Sequence, residues 1–109
     1  MWYAVPHEQM EMMERLWKTL FPHLFARHPD LCYWKTCLFS PAALHSFGIK
    51  VYRATHEAGT FIFTTPAAYH SGFNTGLNVA ESTNFAFADW MEVRNRFCTH
   101  CLLLPVAMP

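Results

Sequence analysis

The chain has 109 residues, with 8 Lys+Arg balanced by 8 Asp+Glu beside 7 His. That length allows one domain at most, and a formal charge of zero removes the electrostatic footprint of a dedicated nucleic-acid binder. At 52% hydrophobic and 15% charged residues the chain is too apolar for disorder, and 17% aromatics imply a dense core or apolar surface meant to meet another body.

From Pro6 to about Leu24 the apolar residues Met10, Met13, Trp17, Leu20, Phe21 and Leu24 recur at three- and four-residue steps, which predicts a helix. Pro6 suits a first turn, and Glu11–Arg15 and Glu14–Lys18 are i,i+4 pairs in the favoured order. Pro22 and Pro29 break the regularity that follows. Ser40-Pro41 reads as an N-cap and first helical residue, and Gly48 as the end of a short helix. After Gly48 the period shortens. Lys50–Thr55 and Leu77–Glu81 alternate loosely, while Thr60–Thr65, bounded by Gly59 and Pro66, is rich in β-branched and aromatic residues, so strands are expected there. Asn74-Thr75-Gly76 is a turn signal, Thr83–Ala86 reads as another short extended piece, and Ala88–Phe97 reads as a closing helix. The layout is α+β with a mainly β core, of sandwich or barrel type, flanked by helices.

No secretory signal is expected in Met1–His7, and the apolar run Leu102–Met108, interrupted by Pro105, is far short of the ~20 residues a bilayer span needs. No membrane association is expected. Cys32, Cys37, Cys98 and Cys101 then read as reduced thiols or metal ligands rather than disulfides.

One run carries chemistry. Tyr69-His70-Ser71-Gly72-Phe73-Asn74-Thr75-Gly76-Leu77-Asn78-Val79-Ala80-Glu81-Ser82-Thr83-Asn84-Phe85-Ala86 resembles the C-terminal half of the Jumonji C (JmjC) domain, in the branch that holds the histone lysine demethylases. Trp2-Tyr3-Ala4-Val5-Pro6, Lys35 with Ser40-Pro41, and Asp89-Trp90 are similar to further segments of that family, so the resemblance extends over residues 1–97 and leaves 98–109 as an unassigned tail.

The resemblance implies a partial double-stranded β-helix (jelly roll, cupin-like). It also implies an oxygenase using Fe(II) and 2-oxoglutarate, which hydroxylates an N-methyl carbon of a methylated histone tail and so releases formaldehyde. Two imidazoles and a carboxylate suit Fe(II) and leave coordination positions open. Residue by residue, His70 matches an iron ligand, Trp2 matches a wall of the 2-oxoglutarate pocket, and Lys35 matches a catalytic-side lysine near oxygen and substrate. Ser82 and Asn84 match substrate-binding positions. The family's His-x-Asp/Glu ligands and its 2-oxoglutarate lysine belong before the Trp-Tyr-x-Val-Pro segment. No His-x-Asp or His-x-Glu spacing is expected to substitute for them anywhere in the chain, and His7-Glu8 and His56-Glu57 are adjacent and face apart. The polypeptide as it stands is therefore expected to be inactive, with a chromatin interaction module as the alternative role and the nucleus as the compartment. Cys98 and Cys101 form half of a zinc site, for which two buried thiols are the simpler account.

Overall fold

A computed structural model describes residues 1–84 together with Phe87, Ala88 and Trp90. Residues 1–76 and 77–109 form two units. The first is built on a three-stranded antiparallel sheet in the order β2-β1-β3, with β1 at Trp2–Val5, β2 at Tyr52–Ala54 and β3 at Tyr69–Gly72. The aromatic and β-branched content of Trp-Tyr-Ala-Val favours an extended backbone. Pro6 ends the strand because it has no N–H to give to a ladder.

Register decides what each face carries. Trp2 stands opposite Ala54 and Gly72, and Ala4 opposite Tyr52 and His70. Opposed residues share a face, so Trp2, Ala4, Tyr52, Ala54, His70 and Gly72 line one side, and Tyr3, Val5, Arg53, Tyr69 and Ser71 the other. The second side meets the helices. Val5 is buried with Met13, Leu16, Leu44 and Ile49, and Met12, Phe39, Val51 and Tyr69 pack around them. On the first side Tyr52, Ala54 and His70 are exposed.

The helical stretch starts later than its periodicity suggests and is broken once. A 3₁₀ turn at His7–Gln9 leads into α1 (Met10–Leu20), and α2 follows at Pro22–Arg27. Phe21, at φ −131° and ψ 54°, separates them. Pro22 is the physical cause: its ring drives the preceding residue out of the helical region, yet it is well suited to open the next helix. α1 buries Met13, Leu16 and Trp17, whereas Leu20 and Leu24 of the expected stripe are exposed. Burying a leucine such as Leu16 contributes roughly 1.5–3 kcal/mol. The Glu11–Arg15 and Glu14–Lys18 pairs form at 3.9 and 3.7 Å on the solvent side.

The short helix α3 (Pro41–Ser46) has both ends that its sequence announces. Ser40 Oγ accepts from Ala43 N at 3.2 Å. At the other end Ile49 N donates to Leu44 O and Gly48 N to His45 O, with Gly48 at φ 74°, a Schellman closure. Leu44 and Ile49, the apolar pair that accompanies such a closure, are both in the core.

Two expected strands do not form. Thr60–Thr65 and Leu77–Glu81 have no ladder among the described residues, and Phe61, Phe63, Leu77 and Val79 are exposed. Extended propensity becomes a strand only when a neighbour completes the hydrogen bonds. β1 and β3 form instead, because each gives the other a full antiparallel partner. Thr83 and Asn84 are irregular, and the expected helix Ala88–Phe97 and the tail 98–109 lie largely outside the described residues. Among the described residues, no helix is long and apolar enough to cross a membrane.

Candidate functional site

His70 is delivered to the open sheet face by a tight turn. Ala68 N donates to Thr65 O at 3.3 Å, and Ala67 takes a left-handed φ of 56°, turning the chain into β3. The His70 ring lies with Nδ1 3.4 Å from Ala68 O, which favours the tautomer with the proton on Nδ1 and leaves the Nε2 lone pair as the ring's acceptor on an exposed residue. A backbone carbonyl behind one ring nitrogen is the usual arrangement for an imidazole that binds a metal through the other.

Trp2 lies beside it, the two rings 6.0 Å apart and tilted at 46°. The indole crosses strand β3 at Gly72, directly opposite in register. A Cβ at Gly72 would stand 2.7 Å from Met1 O and 3.0 Å from the indole, so only glycine leaves room for this ring. The strand pair continues one step further, with Phe73 N donating to Met1 O and the Met1 ammonium donating to Phe73 O. Trp2 Nε1 donates to Nδ1 of His56 at 3.4 Å. Neither Gly72 nor His56 emerges as a site residue from the sequence, because both depend on β1 being a strand in this register.

Lys35 belongs to the first unit. It follows a 3₁₀ turn at Leu31–Tyr33, is exposed, and has a left-handed φ of 55°. Side chains other than glycine adopt that conformation at a cost of about 1–2 kcal/mol. Trp2 and His70 stand side by side on the sheet, whereas Lys35 belongs to none of its three strands. Ser82 and Asn84 are exposed in the second unit.

On the covered face, Tyr69 places its hydroxyl in the core with no hydrogen-bond partner, and its polar neighbour is the Cys32 thiol, short of full hydrogen-bond geometry. Burial, followed by the charge of a Cys32 thiolate, holds the phenol well above its ordinary range, and burial likewise raises the thiol. A raised thiol pKa is the opposite of what reactive-site cysteines show. Cys98 and Cys101, the half zinc site, lie outside the described residues.

Iron is the cofactor to test against these side chains. A His-x-Asp spacing does occur in the chain, at His28-Pro29-Asp30, which corrects the reading that the sequence holds no such spacing. Both of its side chains are turned onto Trp34: the His28 ring lies 4.6 Å from the indole, and Asp30 Oδ2 accepts from Trp34 Nε1 at 2.9 Å. Among the described residues no three His, Cys, Asp or Glu side chains converge as a metal site. His70 alone does not hold a catalytic iron, so the described residues do not by themselves fit the cofactor.

Residues 1–85 match the family described as "JmjC domain, hydroxylase", and the chain belongs to that family. Among known proteins it is similar to lysine-specific demethylase 5B of Gallus gallus, with 41% identity over 103 residues, 94% of this chain and 7% of that protein. Lysine-specific demethylase 5D of Homo sapiens and that of Pan troglodytes are each 43% identical over 99 residues, 91% of this chain and 6% of theirs. The chain thus spans well under a tenth of the length of these relatives.

Proposed function

We propose that residues 1–97 are the C-terminal part of a JmjC domain of the histone lysine demethylase type, a portion of a double-stranded β-helix. His70 supplies one of three ligands to Fe(II), and Trp2 walls the 2-oxoglutarate pocket. The observation that carries this reading is the open sheet face. His70 stands exposed on it with Nδ1 against Ala68 O, next to an indole for which Gly72 makes room. Lys35 serves the oxygen and substrate side, and Ser82 and Asn84 contact the methylated lysine of a histone tail. The compartment is the nucleus.

Two further donors and a lysine for the 2-oxoglutarate carboxylate would have to join His70 before chemistry could proceed. The 109-residue polypeptide by itself is therefore without demethylase activity. The test is formaldehyde release from the purified polypeptide with Fe(II), 2-oxoglutarate and a methylated histone peptide. None is expected above a protein-free control, and turnover that disappears in His70→Ala would contradict the inactive reading.

A second reading has its own observation. The described residues expose fourteen large apolar side chains against seven buried ones, which suits a segment that packs against a partner. A non-catalytic interaction module in chromatin would show the same surface, and retention of a chromatin protein by a chain carrying His70→Ala would favour it.

A further inference from the structure

We infer that His56 is a positioning residue for Trp2, holding the indole at the angle it presents to His70. Its importance for catalysis rests on the site proposed above; the positioning itself rests only on geometry. His56 is anchored first. The turn that follows it is closed by Thr60 N donating to Glu57 O at 3.1 Å, with Gly59 at φ 78°. The Thr60 hydroxyl receives Glu57 N at 3.1 Å and donates to Glu57 O at 2.6 Å, which ties the turn a second and third time. Onto this turn His56 donates from Nε2 to Thr60 O at 3.0 Å.

That bond selects the tautomer. With the proton on Nε2, Nδ1 is an acceptor, and it is Nδ1 that faces Trp2 Nε1–H at 3.4 Å. An indole N–H is a donor only, so the pairing works in one direction and with one tautomer. Gly72 supplies the floor and His56 the rim. With no Cβ at Gly72 the ring could slide across β3, and the His56 acceptor at the far edge of the indole limits that movement. The outcome is a fixed tilt of 46° against His70. The turn residues Glu57 to Thr60, which look like a plain connection in the sequence, thus reach the site through His56.

The experiment uses the 109-residue chain without iron or co-substrate. Indole N–H exchange is followed by nuclear magnetic resonance, with the Trp2 signal assigned through Trp2→Phe and the buried Trp17 indole as an internal reference. His56→Ala should speed Trp2 N–H exchange on the order of fivefold, the weight of one net hydrogen bond, and move the His70 ring resonances. His56→Gln, whose amide oxygen can accept, should restore most of both. Unchanged Trp2 exchange in His56→Ala overturns the inference, as does a His56→Gln variant no better than alanine. A change shared equally by Trp17 also overturns it, because the effect would then be loss of fold. The readout needs no cofactor, so its failure is distinct from failure of the iron-site reading, which is tested by turnover.

Discussion

At the scale of single residues, the neighbourhood of β3 is defined by two atoms, one absent and one without a partner. Gly72 lacks the Cβ that would strike Met1 O and the Trp2 ring. Gly72→Ala should push the indole off its seat and loosen the β1–β3 pair, at a cost of about 1–3 kcal/mol. Chemical denaturation, with the Trp2–His70 proton contact read by nuclear magnetic resonance, checks both effects. Tyr69 has the opposite character: its buried hydroxyl lacks a hydrogen bond. Because burial raises its pKa in the folded chain, the folded state keeps the proton more tightly than the unfolded chain, where a phenol titrates near about 10. Stability from this group is therefore fully present below that value and is lost as pH rises above it, with Cys32 adding in the same direction from about 9. Tyr69→Phe should be neutral to mildly stabilising at pH 7 and should blunt the alkaline loss. An alkaline profile of unfolding midpoints identical in both chains would contradict this.

Lys35 separates backbone from side chain. Its left-handed φ means that Lys35→Gly should stabilise the chain by a few tenths to about 1 kcal/mol, relieved strain outweighing the added freedom of the unfolded chain. If its ammonium serves the iron site as proposed, the same variant placed in an assembled enzyme loses turnover while gaining stability. A midpoint that falls in Lys35→Gly would show that the conformation is not strained.

At the scale of elements, what was legible in the sequence was whatever is decided within a few residues. α3 is the clearest case: Ser40 caps it, Pro41 opens it and Gly48 closes it, as each residue type dictates locally. Ser40→Ala should cost about 1 kcal/mol, measured as a lowered unfolding midpoint with no change in the Trp2–His70 contact. The i,i+4 ion pairs of α1 were legible for the same reason. The strands were not. β1 follows from neither its length nor its period, and it exists because Tyr52–Ala54 and Tyr69–Gly72, some fifty and seventy residues away, complete its ladder. Thr60–Thr65 has the better β composition and no ladder among the described residues. The site divides in the same way. His70 and Trp2 could be named from the motif that carries the family resemblance, whereas the roles of Gly72 and His56 depend on register. His28-Pro29-Asp30 has the His-x-Asp spacing of a ligand pair, yet the structure commits both side chains to Trp34.

At the scale of the whole molecule, the aromatic load that stood out in the composition is divided unequally. Val5, Met13, Leu16, Trp17, Leu31, Leu44 and Ile49 are buried, while Phe61, Phe63, Phe73, Tyr52 and Leu77 are among the many left exposed. Strands β2 and β3 are the two edges of the described sheet, and one face of that sheet is open. Exposed edges and apolar faces of this kind favour self-association. The purified chain should bind a hydrophobic dye and aggregate on heating, and a sharp, reversible thermal transition of a monodisperse monomer would contradict that expectation. The same surface is what a segment completed by further strands would present.

The proposal that His70 supplies one iron ligand to a JmjC demethylase site can be tested by transplantation. Residues 1–97 would replace the matching segment of chicken lysine-specific demethylase 5B, and formaldehyde release from a methylated histone peptide would be measured. Turnover by the chimera is expected, with its loss by at least about a hundredfold in His70→Ala, the size expected when a group in the reacting site is removed. A folded chimera without activity, or one equally active with His70→Ala, would contradict it.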